Sequence, residues 1–177
     1  MDTWAYSLVA GAALVLTATA IVFNRMVRLR NRVRRAWKDI DVQLKLRHGL
    51  VPLLVATTGG YATQELQVLE RAARLRAEAQ SATGVREKGA RETELTSALA
   101  EVFALKETYP DLKADAAFGR LFQETVTVEN HLAAARKYYN GSVRAYNTFI
   151  QSFPYLLLAR LLRFREAEHF QEERGSG

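Results

Sequence analysis

The side chains best suited to moving protons near neutral pH are three histidines, His48, His131 and His169, and they are scattered along the chain. Nucleophilic catalysis needs an activated Ser, Cys or Lys beside a positioned base, and the chain has no Cys and no G-x-S-x-G. Neither the phosphate-cradling G-x-x-x-x-G-K-[ST] nor the zinc-binding His-Glu-x-x-His occurs. Glu166-x-x-His169 is one half of a di-iron bundle pattern, which needs two such pairs and two further Glu on facing helices. A lone pair beside a polar tail reads as a solvated accident. The chain is therefore read as non-enzymatic, with no catalytic, metal-binding or cofactor-binding residue.

A second group of polar residues has no catalytic pattern. Asn and Asp are poor residues for helix interiors, yet Asp39, Asp41, Asn130, Asn140 and Asn147, with Arg136, fall in long helical segments. One reading is a buried polar network between the first and last long helices, which fixes register as polar residues do in coiled coils. The other places them on a solvated face or in subunit contacts.

The elements that must position these residues begin with an apolar stretch. Between Asp2 and Arg25 lie twenty-two uncharged residues. Trp4 to Phe23, wound as a helix, covers about 30 Å, the hydrocarbon thickness of a bilayer. Arg25, Arg28, Arg30, Arg32, Arg34, Arg35 and Lys38 follow with no acid among them. Short basic loops stay cytoplasmic, so these residues and Trp4 mark the two membrane interfaces, with the N-terminus outside. Ala18-Thr19-Ala20 resembles a signal-peptidase site, but a signal peptide carries its positive charge before a shorter apolar core. The absence of Cys excludes a lipoprotein.

Residues 1–38 hold seven of the 25 Lys and Arg and one of the 19 acids, which leaves eighteen of each in residues 39–177. The formal net charge of +6 therefore sits entirely beside the apolar stretch. That location favours anionic lipid headgroups as the partner over nucleic acid.

Three Pro and ten Gly leave few breaks, and no alternating strand pattern appears. The fold class is all-α. Leu29, Val33, Trp37, Ile40, Leu44, Val51 and Val55 extend an apolar stripe from the basic segment, so the anchor is expected to continue into the first bundle helix. Pro52 should kink or interrupt it, with Gly59-Gly60 as a further break. A second helix places Leu66, Leu69, Ala73 and Arg76 on one face and ends at Ser81-Ala82-Thr83-Gly84. A third runs from about Glu87 to Thr108, with Leu95, Ala98, Leu99, Val102 and Leu105 inward, and ends at Tyr109-Pro110-Asp111. The last long helix keeps one stripe from Phe118 through Leu121, Phe122, Thr125, Val128, Leu132, Ala135, Tyr139, Val143 and Tyr146 to Ile150, and Ser152-Phe153-Pro154 closes it. Tyr155 to Phe164 is basic and amphipathic. Phe153, Leu157, Leu161 and Phe164 in this region suit an oligomer contact, packing on the bundle, or a membrane surface. Gln171 to Gly177 should fray.

The expected organisation is an anchor over 1–24, a basic juxtamembrane segment over 25–38, a helical bundle over 39–151, and a short amphipathic helix with its tail over 152–177.

Several short motifs occur together in order. Arg30-Asn31-Arg32-Val33, Ala36-Trp37-Lys38-Asp39-Ile40-Asp41-Val42-Gln43-Leu44-Lys45, Arg47-His48 and Pro52 come first, then Gly60-Tyr61 and Tyr109-Pro110-Asp111-Leu112-Lys113-Ala114. Glu129-Asn130, Ala134-Ala135-Arg136, Tyr139-Asn140, Val143-Arg144, Tyr146-Asn147 and Ser152-Phe153-Pro154 complete the set. The ordered set resembles the LemA family. The resemblance implies one N-terminal transmembrane helix, a short outside N-terminus and a cytoplasmic bundle of long antiparallel helices. It carries no catalytic residues, and relatives are linked to envelope stress, membrane proteases and internal membrane compartments.

The anchor, the rod-like helices and the missing catalytic constellation lead to one expectation: a scaffold that self-associates on the cytoplasmic face of the bacterial inner membrane. Its partners would be anionic lipid and further copies of itself. An adaptor that docks a membrane protease or signalling protein is the alternative.

Overall fold

The computed structural model describes residues 3–170. The expectations for Asp2 and for the tail from Gln171 fall outside them. Among the described residues there are six helices and no strand: α1 (Thr3–Gly59), α2 (Leu66–Ser81), α3 (Val85–Thr108), α4 (Pro110–Ala114), α5 (Ala116–Gln151) and α6 (Tyr155–Leu161). Two compact units divide the chain. The first takes the chain through Ala36 together with Gly141–Ala167, and the second takes Trp37–Asn140 together with the chain from Glu168 onward.

In the second unit, α1 stays helical through Pro52 and ends at Gly59. A proline inside a helix removes the N–H that would bond the carbonyl four residues earlier, which here is that of His48. Arg76 of α2 supplies a substitute, with Nε donating to the His48 carbonyl oxygen at 3.1 Å. An external donor thus meets the group that Pro52 leaves open.

The core of this unit joins Val51 and Leu54 of α1 to Leu69, Ala72, Leu75 and Ala79 of α2 and to Leu95, Ala98, Leu99, Val102 and Leu105 of α3, with Leu112 and Phe118 added. The α3 stripe is the expected one. On α2 the buried face differs from the expected set, since Leu66 and Ala73 are exposed while Ala72, Leu75 and Ala79 are buried. Leu69, Ala72, Leu75 and Ala79 step by three or four residues, so they too form one helical stripe.

Local chemistry sets the turns. Gly84, before α3, has φ +83°, the left-handed region open to glycine at no steric cost. Tyr109 is extended ahead of Pro110, and Pro110 then opens α4 at a position where proline costs no bond. Asp115 caps α5, its Oδ1 accepting from the Phe118 N–H at 2.8 Å.

The first unit buries Met26, Val33 and Ala36 of α1, Val143, Tyr146 and Ile150 of α5, and Ala159 of α6. Phe149 and Tyr155 stack at 4.5 Å across the turn between α5 and α6. The end of α6 is closed by N–H groups of Arg163 and Phe164 donating to the carbonyls of Arg160 and Ala159, with Arg163 at φ 56°. This is the Schellman arrangement, with arginine where glycine is commonest.

Candidate functional site

Most of the apolar surface of α1 before Arg25 has no protein cover. Leu14 and Leu16 are 71% and 70% exposed, and Trp4, Tyr6, Leu8 and Val9 are similarly open. The helix is long and apolar enough to cross a membrane. The basic residues that follow are solvent-facing at Arg25, Arg28, Arg32, Arg34 and Arg35, as is Lys38 in the second unit. Arg25 lies over the Phe149 ring at 5.0 Å, and the half-buried Arg30 lies over Phe164 at 5.0 Å. These cation–π contacts hold two of the cations against protein aromatics. Phe153, Leu157 and Leu161 are exposed, whereas Phe164 is half-buried and meets Phe23 edge-on at 6.2 Å.

Two Tyr-Asn pairs grip the segment after α6. In the first unit, Asn147 donates to the Ala167 carbonyl and accepts from the Ala167 N–H, both at 2.9 Å. Tyr146 donates to the Arg165 carbonyl at 2.9 Å. In the second unit, Asn140 pairs with both backbone groups of Phe170 at 3.0 and 2.9 Å. Tyr139 donates to the Glu168 carbonyl at 2.8 Å. Burial first, then the Glu168 charge, pushes the Tyr139 hydroxyl pKa above its ordinary value. Trp37 packs on Tyr139 and Phe170 at 5.5 and 6.1 Å, and Arg136 lies over Phe170 at 5.1 Å.

The most buried charges are elsewhere in the second unit. Arg47 and Glu92 are fully buried and His48 nearly so. Arg47 Nη1 donates to Glu92 Oε2 at 3.1 Å and Nη2 to Thr96 Oγ1 at 2.7 Å. Its Nε is 2.8 Å from Glu129 Oε1, an ion pair whose N–H direction misses hydrogen-bond alignment. His48 Nε2 and Glu92 Oε1 are 2.7 Å apart. Burial lowers the Arg47 pKa from its ordinary value, and the Glu129 and Glu92 carboxylates oppose that shift. The cluster ties α1 to α3 and α5. A buried charge without such partners would cost several kcal/mol, of order 3–5.

A histidine oriented by a carboxylate is part of a nucleophile–base–orienter arrangement. His48 lines an open pocket of about 360 Å³ with Asp41, Lys45, Arg76, Gln80 and Lys88, and that lining has no Ser, Thr or Cys. Among the described residues, no three His, Asp or Glu side chains converge as metal ligands. The arrangement cross-links helices.

The six polar residues singled out in the sequence divide accordingly. Asp39 and Asn130 are exposed. Asp41 pairs with Lys45 at 2.8 Å and lies 3.9 Å from Lys88; the Lys45 bond, ahead of the opposing burial, lowers its pKa. Arg136, Asn140 and Asn147 engage the segment after α6. The link between α1 and α5 passes through Arg47 and Glu129, which sequence reasoning missed. A signal was present. Arg47 falls between Leu44 and Val51, and Glu92 lies three residues before Leu95, so both occupy apolar stripes.

The all-helical architecture with its uncovered apolar helix fits a membrane-associated helical protein. The LemA family model matches residues 36–176, and the chain belongs to the LemA family. It is also similar to magnetosome proteins MamQ 1 and MamQ 2 of Paramagnetospirillum magneticum, each 31% identical over 77 residues, covering 44% of this chain and 28% of the relative. Magnetosome protein MamQ of Magnetospirillum gryphiswaldense is 29% identical over the same shares. The matched part of the chain thus spans little more than a quarter of these relatives' length, 28%.

Proposed function

We propose that the protein is a non-enzymatic scaffold that crosses the bacterial inner membrane once through α1 and self-assembles on the cytoplasmic face. The N-terminus lies outside, and the remaining long helices form an antiparallel bundle in the cytoplasm that organises or shapes the membrane. The observation that carries this reading is the uncovered apolar surface from Trp4 to Phe23, followed at once by seven basic residues. Burying an apolar helix of about twenty residues in lipid requires no further protein, and the Arg cluster sets the orientation. Parallel copies would bring these clusters together, and anionic headgroups would offset their repulsion. Similarity to proteins named for the magnetosome supports the membrane-organising part.

The chain lacks Cys, so single cysteines report topology without background. In intact spheroplasts, a membrane-impermeant maleimide should label Asp2→Cys and spare Lys137→Cys. The reverse pattern overturns the orientation. Light scattering of detergent-solubilised protein with added phosphatidylglycerol should give a mass above one copy. A monomer at every concentration overturns the scaffold.

A further inference from the structure

Within the first unit, α6 lies beside the apolar part of α1, and the two line a groove of about 460 Å³. Leu14, Ala18 and Val22 contribute from α1, and Tyr155, Leu158 and Leu161 from the other side. Leu14 is eleven residues before Arg25, the first charge after the apolar stretch. At 1.5 Å per residue that is about 16 Å, close to half the hydrocarbon thickness of a bilayer. The α1 side of the groove therefore runs through the depth of one leaflet, ending at the basic residues.

The side chains of α6 match that depth. Phe153, Leu157 and Leu161 are 79%, 60% and 77% exposed, a concentration of large apolar groups that water does not favour. The surface continues directly into the uncovered surface of α1. Arg160, Arg163 and Arg165 are exposed at the far end, and their long stems let the guanidinium groups reach the headgroups. Pro154 has no N–H, and those of Ser152, Leu156 and Leu157 donate to the carbonyls of Thr148, Ser152 and Pro154.

We propose that α6 and the turn before it are embedded in the cytoplasmic leaflet beside α1, with phospholipid acyl chains filling the α1–α6 groove. This rests on the reading of α1 as a membrane span. The chain would then insert two helices into one leaflet and one into the other, an asymmetry that widens the cytoplasmic leaflet.

The full-length protein, spin-labelled at single cysteines and reconstituted in phosphatidylethanolamine–phosphatidylglycerol vesicles, tests this. Labels go at Leu14, Leu157, Leu158 and Leu161, with Lys137 as the aqueous reference. Power saturation compares oxygen, which concentrates in acyl chains, with a water-soluble nickel chelate. Labels at 157, 158 and 161 should resemble Leu14, with oxygen collisions exceeding nickel collisions several-fold, and Lys137 should show the reverse. If Leu14 is in lipid while the three α6 labels meet nickel, the embedding is overturned and the anchor stands. If those labels are shielded from both reagents, protein covers them and the proposal is overturned. If Leu14 also meets nickel, the membrane span fails and this proposal with it.

Discussion

The side chain of Asn147 pairs with the backbone of Ala167 as another strand would, giving one hydrogen bond and taking one, each 2.9 Å. Asn140 repeats the pairing at Phe170, seven residues earlier on the helix and three later on the segment. Because each grip is on backbone atoms, it sets no demand on the side chains it holds.

Asn147→Ala removes both bonds at Ala167. At about 0.5–1.5 kcal/mol net per bond, the local cost is about 1–3 kcal/mol. Hydrogen exchange of the Ala167 amide should quicken by about 10- to 100-fold, with exchange in α3 unchanged. An unchanged rate at Ala167 would show that the pairing contributes nothing.

The buried cluster predicts a sharp asymmetry between single and double substitution. Glu92→Ala takes the fully buried carboxylate from the Arg47 guanidinium and leaves it only Glu129 and Thr96, at a cost of up to about 3–5 kcal/mol. Arg47→Met with Glu92→Leu removes both charges and should cost markedly less, because Glu129 is partly open to water and keeps its hydration. Urea unfolding in detergent, followed by circular dichroism, reads the difference. Equal losses in the two variants would refute the charge-pair account.

Arg76 and Pro52 should be energetically coupled. Arg76→Met leaves the His48 carbonyl without its donor, worth about 1–2 kcal/mol. Pro52→Ala restores an N–H one turn away, so the same Arg76 substitution in that background should cost less. A double-mutant cycle measures the coupling, and strict additivity would remove the proposed role of Arg76.

Acid and alkaline stability should both depend on the Tyr61–Asp115 contact, where the hydroxyl donates to Oδ2 at 2.7 Å. The Phe118 N–H, then the Tyr61 hydroxyl, hold the Asp115 pKa below its ordinary 3.8. Its contribution is therefore present above that ordinary value and is lost as pH falls through the lower folded one. The bond to Asp115 raises the Tyr61 pKa above its ordinary 10.0, so that contribution is present below the ordinary value and is lost as pH rises through the higher folded one. Asp115→Asn should flatten the fall in Tm on the acid side, and Tyr61→Phe the fall on the alkaline side. Thermal melts across pH check both; parallel curves for variant and parent would contradict the assignment.

The sequence alone determined the regular parts of this protein. The α5 stripe from Phe118 to Ile150, the inward face of α3, the turns at Gly84 and Pro110, and the apolar stretch with its arginines follow from periodicity, backbone preference and charge, which act over a few residues. Tertiary structure decided what those elements meet. It selected Leu69, Ala72, Leu75 and Ala79 as the buried face of α2, since a helix with apolar residues on more than one side has its face chosen by its neighbours. It carried α1 through Pro52, because the compensating donor lies on another helix. It joined Arg47, Glu92 and Glu129, residues that a charge pattern assigns to solvent and only distant partners allow inside. It matched Asn140 and Asn147 to backbone groups of Phe170 and Ala167, which carry no side-chain signature. Contacts between residues far apart in the chain are made by packing, and packing has no local code.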